Sequence, residues 1–259
     1  MDEEEGLVRE FKAGKLTVKI FKDRQSMGEA AAKAVGKKMK EIISEKGRVS
    51  MVFASAPSQE EFLASLVKLK GIEWPKVIAF HLDEYIGISS DAPQSFRRFL
   101  RDRLFSKVNV GEVHYLNGDA EDIEEEARRY AELLKKYGLD IACVGIGENG
   151  HLAFNDPHVA DFNDPLMVKV VELDEVCRRQ QVHDGCFATL EEVPRKALTL
   201  TMPTIFNAKY IFAVVPAPSK AEAVRKTVYG PISTSCPASI LRKHDNAILF
   251  LDRDSASLL

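Results

Sequence analysis

The most constraining feature of the sequence is a glycine-rich turn that follows an apolar run near residue 145. Residues 141–144 read as a buried strand, and glycines stand at positions 145, 147 and 150 directly after it. Glycine lets the backbone turn sharply and approach a ligand without a Cβ in the way. In α/β proteins, ligands bind outside the carboxyl ends of the strands. The turn therefore predicts a ligand site at the end of a strand.

The same turn carries a polar cluster centred on His151. Two carboxylic acids and two amides stand within five residues of this histidine, and histidine is a residue type suited to proton transfer. A lone histidine is usually a structural residue satisfied by hydrogen bonds, but this neighbourhood favours a functional one. The glycine spacing also fits the dinucleotide-binding pattern. We do not expect a dinucleotide, because an acid, an amide and His151 occupy the phosphate-cradling part of that pattern.

Composition and charge argue against several classes of protein. The chain has 259 residues, of which 45% are hydrophobic and 29% charged, with a formal net charge of -3. This charge argues against nucleic-acid binding, and four cysteines without a C-x-x-C pair argue against a zinc site or a disulfide framework. No apolar run approaches the length of a membrane span, and the acidic start is unlike a secretory signal. We expect a cytoplasmic protein that binds neither nucleic acid nor membrane.

Helical and strand patterns alternate along the chain and predict an α/β fold with a mainly parallel sheet. Strands are expected over residues 16–21, 49–53, 77–82, 140–146, 168–173, 197–202, 210–215 and 247–251, and helices over 23–46, 60–69, 95–105, 120–137, 220–228 and 236–244. Residues 1–15 read as a loose or helical lead-in. Since no linker or repeat is visible, we expect a single domain over residues 1–259.

Further polar residues follow other predicted strands or begin a helix. Residues 54–59 precede a helix whose unpaired N–H groups could bind an anion, and capping of that helix by Ser58 explains the stretch equally well. Asp83 and Glu84 follow the strand over residues 77–82 and point to opposite sides of an extended chain. A solvated acid pair is the slightly simpler explanation for them. Lys220 at a helix start opposes the helix dipole and hints at an anionic partner.

Several stretches, in this order, resemble glucosamine-6-phosphate deaminases, also called isomerases. They are LDEYIG (82–87), PQSFR (93–97), LNG (116–118), GIGENGHLAFN (145–155), LDEVCR (173–178), VP (193–194), ALTLT (197–201), KA (220–221) and PASIL (237–241). The resemblance implies a three-layer, Rossmann-like α/β sandwich shared with 6-phosphogluconolactonases and ribose-5-phosphate isomerases. It also implies conversion of glucosamine 6-phosphate and water to fructose 6-phosphate and ammonia, without a cofactor or metal.

The resemblance implies roles for four catalytic residues. Asp83 matches the carboxylate that moves a proton between C2 and C1 of the open-chain sugar, and His151 matches the residue that opens the pyranose ring. Asn149 and Asp156 match positions that orient this histidine or relay to it. The residue types suit these tasks, because a partly desolvated carboxylate can act as a base and an acid can hold an imidazole in one tautomer. Asn149 carries no charge, so Asp156 is the expected electrostatic partner.

The resemblance also implies a phosphate site formed by Ser55, Arg178 and Lys220. The loop around Ser55 departs from the family pattern, since Ala54 and Ala56 replace a glycine and a hydroxyl residue. The added methyl groups limit backbone approach, and one donor is lost. The sequence therefore leaves open which hexosamine phosphate the protein binds.

We expect an enzyme of amino sugar catabolism that acts on glucosamine 6-phosphate. Three alternatives stay open: a deaminase or isomerase of another hexosamine phosphate, a 6-phosphogluconolactonase, and a non-catalytic sugar-phosphate sensor. A lactonase would need a water activated by histidine but no base at C2. The expected partner is a small sugar phosphate, and a homo-oligomer is possible. An effector site within residues 156–168 is unsupported, because this stretch contains no Lys or Arg.

Overall fold

Residues 5–259 of the chain are described in a computed structural model, and residues 1–4 of the expected lead-in lie outside them. The described strands are β1 (Leu7–Ala13), β2 (Leu16–Phe21), β3 (Val49–Phe53), β4 (Val77–His81), β5 (Asp83–Tyr85), β6 (Glu112–Val113), β7 (Ile141–Val144), β8 (Val168–Glu172), β9 (Lys196–Leu200), β10 (Tyr210–Val215) and β11 (Ala247–Asp252).

The α-helices are α1 (Arg24–Lys46), α2 (Glu60–Leu66), α3 (Phe96–Leu100), α4 (Ile123–Tyr137), α5 (Glu175–His183), α6 (Met202–Phe206) and α7 (Ala221–Tyr229). A π-helical turn extends α3 over Arg101–Phe105. Short 3-10 helices cover Pro57–Gln59, Trp74–Lys76, Pro218–Lys220 and Pro237–Lys243. None of the helices within residues 5–259 is long and apolar enough to cross a membrane.

Eight strands form a central sheet in the order β1-β2-β11-β10-β7-β3-β4-β6. The β1–β2 pair is antiparallel, and every other pair of neighbours in this sheet is parallel. This topology confirms the predicted mainly parallel sheet. It also places β10, β7, β3 and β4 side by side, so that their carboxyl ends meet at one edge.

Hydrophobic cores cover both faces of the central sheet and give the fold its three layers. On β3, Met51 and Phe53 belong to the core that contains Val35 of α1, whereas Val52 between them belongs to the core that contains Tyr130 of α4. Strands buried on both faces are continuous apolar runs. The apolar runs in the sequence therefore predicted these strands well.

A second, antiparallel sheet in the order β5-β9-β8 covers the glycine-rich turn after β7. Phe154 donates its backbone N–H to the Thr199 hydroxyl over 3.1 Å, and the Asn155 amide donates to the Leu200 carbonyl over 2.8 Å. The sequence predicts β8 and β9 as strands but does not reveal that they form a separate sheet. This sheet holds the turn in place.

The expected loose or helical lead-in is wrong for residues 7–13, which form β1. This strand pairs with β2 in a hairpin closed at Gly14, whose φ of +60° lies in the left-handed region that favours glycine. Its side chains are mostly exposed because it is an edge strand. Charged residues are typical of such edges, where they discourage pairing with other chains, and here they mask the strand pattern.

Candidate active site

The segments that follow β10, β7, β3 and β4 surround one small cavity of about 60 Å³. Four of the predicted site residues line it: Ser55 after β3, Asp83 after β4, His151 after β7 and Lys220 after β10. Parallel neighbours necessarily end at the same edge of a sheet. The topology therefore brings together residues that are far apart in the sequence.

Asp83 is a desolvated carboxylate at the edge of this cavity. It is 7% exposed, and no residue in the range 5–259 donates a hydrogen bond to its carboxylate oxygens. Burial, followed by the charge of Glu84, raises the pKa of Asp83 well above its ordinary value. Such a carboxylate has high proton affinity, which suits a general base.

Glu84, the adjacent acid, is structural. It is fully buried and accepts five hydrogen bonds, from the backbone N–H groups of Tyr85, Phe96 and Arg97, the Ser95 hydroxyl and the Arg97 Nε. The Arg97 guanidinium also bonds Asp119, with 2.8 Å between Nη1 and Oδ1. The two acids thus point to opposite sides, as expected for an extended backbone, and Asp83 is the one at the cavity.

His151 is held through its Nδ1 atom. This atom lies 2.7 Å from the Asn149 Oδ1 and 3.0 Å from an Asp156 oxygen. Because both neighbours are acceptors, Nδ1 carries the proton of the neutral ring and Nε2 is left as the acceptor. Nε2 has no hydrogen-bond partner within residues 5–259. A Cβ on Gly147 would lie 2.1 Å from the ring Cε1, so the ring can rest on the turn only because residue 147 is glycine.

Asp156 is the buried anion behind His151. Burial by itself raises the pKa of the Asp156 carboxyl, but hydrogen bonds from His151 and Asn149, together with the histidine's charge, hold that pKa below its ordinary value. The Asn149 amide donates to the Asp156 Oδ1 over 3.1 Å. An ionised Asp156 can therefore stabilise His151 when the imidazole gains a proton.

Ser55 and Lys220 are two buried polar residues of the cavity lining whose side chains lack protein partners. Each is 5% exposed, and neither the Ser55 Oγ nor the Lys220 Nζ has a hydrogen-bond partner in the described part of the chain. Burial lowers the pKa of the Lys220 ammonium, and the charges of Asp184 and Glu148 offset only part of this effect. A buried cation without a partner is costly, so this pair points to an anionic ligand.

The capping role considered for Ser58 is not what the structure shows. Neither the 3-10 helix at Pro57–Gln59 nor α2 has a side-chain cap at its start. Instead, the Ser58 hydroxyl lines the cavity and accepts a hydrogen bond from the Gln59 amide over 3.1 Å. This leaves the anion-binding interpretation of residues 54–59.

Lys220 is positioned by a strained turn. Ala217, between two prolines, has a φ of +86° and a ψ of 148°, a region that side-chain-bearing residues rarely adopt. Its N–H lies 3.2 Å from both carboxylate oxygens of Asp252 at the end of β11. The turn leads directly into the 3-10 helix that carries Lys220 to the cavity.

Arg178 lies on α5 but outside the lining of the cavity. Its Nε and Nη2 donate to the Val193 carbonyl over 3.3 Å and 3.1 Å, and Nη2 also donates to the Leu190 carbonyl. From the same helix, Gln180 and Gln181 line the cavity instead. The phosphate role of Arg178 therefore stays a prediction, while its visible contacts stabilise the turn over residues 190–193.

Two clusters that share Asp156 have the spacing of metal ligands: His151, Asp156 and Cys177, which lie at the site, and Asp156, His158 and Asp174, which are more exposed. The His151 Nδ1, an Asp156 oxygen and the Cys177 Sγ all lie within 4.8 Å of one another. However, the first two atoms already bond each other, and burial raises the pKa of the Cys177 thiol well above its usual range. Metal binding requires a thiolate and a deprotonated Nδ1, so the chemistry of this set favours a hydrogen-bonded network.

Comparison with known proteins places the chain in a family. Residues 22–250 match the family described as glucosamine-6-phosphate isomerases/6-phosphogluconolactonase. The chain belongs to this family. A glucosamine-6-phosphate deaminase of Thermoanaerobacter sp. is 36% identical over 248 residues, which cover 94% of this chain and 95% of the relative. A protein of the same name from Listeria innocua is 37% identical over 231 residues, covering 87% and 96%.

Solved structures of the family agree with the fold. A monomeric glucosamine-6-phosphate deaminase superposes with a TM-score of 0.86 at 33% identity, covering 93% of this chain and 99% of the other. A 6-phosphogluconolactonase from Thermotoga maritima has a TM-score of 0.75 at 19% identity, covering 92% and 99%. The second likeness shows the shared fold alone. Together with the family match, these findings confirm the resemblance and the three-layer sandwich expected from the sequence.

Two features of the site were not singled out from the sequence. Gln180 and Gln181 line the cavity, and Asp174 bonds the Asn149 amide and caps α5. An acid directly before the first residue of a polar helix is an N-cap signal, so the sequence could have predicted the start of α5. Its second contact, to Asn149, depends on tertiary structure and leaves no sequence signal.

A much larger cleft lies away from the strand tips. It has a volume of about 560 Å³ and is lined by α1 and by the amino-terminal parts of β10, β11 and β2. Lys33 and Lys37 at its rim are exposed, Lys38 lies 4.4 Å above the Tyr210 ring, and Asp245 pairs with Lys15 outside the lining. None of the predicted site residues lines this cleft.

Proposed function

We propose that this protein is a glucosamine-6-phosphate deaminase, which converts the amino sugar phosphate and water to fructose 6-phosphate and ammonia. The observation that carries the proposal is the convergence of three features on one cavity. A desolvated acid, Asp83, and an imidazole with a free Nε2, His151, share it with the unpartnered Ser55 and Lys220. Relatives of this name cover nearly the whole chain.

The phosphate of the substrate binds at Ser55 and Lys220. The Lys220 ammonium supplies the charge that neutralises the phosphate, and the Ser55 hydroxyl donates a hydrogen bond. Phosphate binding also gives Lys220 the partner that it lacks in the free protein, and charge-assisted hydrogen bonds are the stronger kind. This anchoring holds the sugar carbons between the two catalytic side chains.

His151 opens the pyranose ring. Its Nε2 accepts the proton of the O1 hydroxyl and returns a proton to O5 as the C1–O5 bond breaks, which gives the open-chain aldehyde. During the transfer the ring is an imidazolium, and the Asp156 carboxylate behind Nδ1 stabilises that charge. Asn149 contributes orientation, since its oxygen accepts from the same Nδ1.

Asp83 then moves a proton between carbons. As a base it removes the proton from C2, next to the carbonyl, and as an acid it returns a proton to C1. One proton also passes from the amino nitrogen to O1, which leaves a C2 imine and a C1 hydroxyl. Water adds to this imine and ammonia leaves, producing the ketone of fructose 6-phosphate. A raised pKa helps Asp83 in both directions, because proton transfer is most efficient when donor and acceptor pKa values are close. These are proton transfers and a hydrolysis, with no net oxidation.

An ammonia-release assay tests the proposal. Wild-type protein is compared with Asp83→Asn on glucosamine, galactosamine and N-acetylglucosamine 6-phosphates, and hydrolysis of 6-phosphogluconolactone is followed separately. We expect the wild type to release ammonia from glucosamine 6-phosphate and Asp83→Asn to release none. Lactone hydrolysis without ammonia release would instead make the protein a lactonase, and calorimetric binding without any turnover would make it a sensor.

The setting of the enzyme is part of the proposal. All the side chains used above come from one chain, so we infer that residues 1–259 act as one domain and that a homo-oligomer is possible but not required for chemistry. Four cysteines are free, three of them buried, which fits the reducing cytoplasm. The sugar phosphate is the partner on which the proposal rests.

A further inference from the structure

The orientation of one amide side chain controls which nitrogen of His151 carries the proton. The Asn149 Oδ1 accepts from the His151 backbone N–H over 3.1 Å and faces Nδ1 at 2.7 Å. If this amide were turned over, its NH₂ group would face Nδ1 as a donor. That donor would oppose the proton on Nδ1, leaving Asp156 as its one remaining acceptor, and would favour the tautomer with the proton on Nε2, the atom that must accept the O1 proton.

Two carboxylates hold the Asn149 amide in the orientation observed. Its Nδ2 donates to the Asp156 Oδ1 over 3.1 Å and to the Asp174 Oδ2 over 3.1 Å. Ionised carboxylates only accept hydrogen bonds, so both of them require the NH₂ group on their side. Amide oxygen and nitrogen have nearly the same shape, and such partners decide between the two orientations.

Asp174 has contacts that reach beyond Asn149 but do not include His151. Its backbone N–H donates to the Asp156 Oδ2 over 3.2 Å, and its Oδ1 accepts from the Cys177 N–H over 2.6 Å as the N-cap of α5. Three residues after Cys177, the Gln180 Oε1 accepts from the Glu148 N–H over 2.8 Å. The start of α5 is therefore bonded to the glycine-rich turn at two points.

We propose that Asp174 is a positioning residue that selects the Nδ1-protonated tautomer of His151 by fixing the Asn149 amide. This assignment rests on the proposed function only in its consequence for turnover, since the tautomer exists with or without substrate. Asp156 acts directly on the ring, whereas Asp174 acts through Asn149. Both carboxylates accept a hydrogen bond from the Asn149 amide, and together they fix its orientation.

The informative variant is Asp174→Asn. Asparagine is as good an N-cap as aspartate, so α5 still begins at the same residue. The new NH₂ group replaces one of the two carboxylate oxygens, so it either opposes the NH₂ group of Asn149 or breaks the N-cap bond to Cys177. Turning the Asn149 amide over removes the first conflict, but it places an NH₂ group against the His151 Nδ1 and disfavours the proton there. We expect kcat to fall roughly 10- to 100-fold with KM nearly unchanged, less than the ~10⁴-fold loss when the direct partner of the triad histidine is replaced.

The deciding measurement is the ¹⁵N spectrum of histidine-labelled protein, in the pH range where the His151 ring is neutral. The ring signals of His151 are identified by their loss in His151→Gln. Wild type is expected to show a protonated Nδ1, and Asp174→Asn a substantial shift of the proton to Nε2. Asp174→Ser retains a capping oxygen without an opposing NH₂ group, so a smaller shift is expected there. Asp122→Asn is the matched control, because Asp122 caps α4 by the same bond, 2.9 Å from its Oδ1 to the Glu125 N–H, at an exposed site.

A wild-type tautomer in Asp174→Asn overturns the proposal, even if activity is lost. Should that variant not fold, Asp174→Ser decides, and an unchanged Nδ1-protonated ring in it is equally fatal. Absence of deaminase activity in the wild type would contradict the proposed function. The ¹⁵N comparison would still decide the role of Asp174, because it does not depend on turnover. The proposal is supported if the His151 tautomer shifts in Asp174→Asn while the control Asp122→Asn keeps the stability and activity of the wild type.

Discussion

The wide cleft beside α1 and the small cavity at the strand tips differ in volume by almost tenfold, about 560 Å³ against about 60 Å³. Charged groups line both. In the cleft they are exposed, as at Lys33 and Lys37, or paired with neighbours, as at Lys38 and Glu41. In the cavity, Asp83 and Lys220 are buried and have no ion-pair partner among residues 5–259.

The comparison teaches that unsatisfied burial marks the site better than volume does. An exposed lysine is solvated and costs nothing to maintain, whereas a buried one without a partner destabilises the fold. Natural proteins retain such groups where function needs them. The predictions that follow test whether the cavity and the cleft differ in this way.

Asp83→Asn should have the largest effect. Losing the base is expected to lower kcat by roughly 10³-fold or more, in line with the upper range for general acid–base catalysis. KM for glucosamine 6-phosphate should change little, because the amide has nearly the same shape. Steady-state kinetics measures both. Asp245→Asn in the cleft is the matched control and should match the wild type, and a fully active Asp83→Asn would remove this carboxylate from the mechanism.

Lys220→Met should separate binding from stability. Loss of a charge-assisted hydrogen bond worth about 2–3 kcal/mol predicts a KM increase of roughly 30- to 150-fold. The same change removes a buried, unpartnered ammonium, so the free protein should melt at a higher temperature. Lys37→Met at the cleft rim should alter neither quantity. An unchanged KM in Lys220→Met would refute its phosphate contact.

The pH dependence of activity should report the raised pKa of Asp83. The base works only when ionised, so kcat/KM should fall as the pH drops through that pKa, at a value well above the ordinary 3.8. A carboxyl whose pKa is raised by folding contributes stability below its unfolded pKa and loses it as the pH rises through the folded one. Asp83→Asn should therefore gain stability over the wild type as the pH rises, measured by urea unfolding. An acid limb near pH 4 would contradict the desolvation of Asp83.

Ala217→Gly should have the smallest effect, on stability alone. Relieving a backbone strain of about 1–3 kcal/mol outweighs the entropy cost of a new glycine, about 0.4–1 kcal/mol, so a net gain of about 1 kcal/mol is expected. The urea midpoint measures it. The matched substitution Ala34→Gly, within α1 at the cleft, should destabilise by about 1 kcal/mol instead. A destabilised Ala217→Gly would mean that the turn is not strained.

The carboxyl ends of the central strands could be predicted from the sequence, because each of these strands is an apolar run that polar residues follow. Asp83, His151 and Lys220 follow such runs, and the parallel sheet obliges them to meet. Arg178 shows the limit of this reasoning, since a helix position fixes where a side chain starts but not which carbonyls it bonds. Four of the five hydrogen bonds of Glu84 come from residues 95–97, whose position against β5 is a tertiary contact that no local pattern encodes.

The order of strands in the central sheet also governs the assembly of the chain. The last strand, β11, lies between β2 and β10, and is the link in the described sheet between the amino-terminal hairpin and the other strands. On the ribosome, residues 7–21 must therefore wait until residues 247–252 have been synthesised before they join the other strands of the sheet. A chain truncated before residue 247 would leave two apolar strand edges open, and would be expected to self-associate rather than to yield a smaller working enzyme.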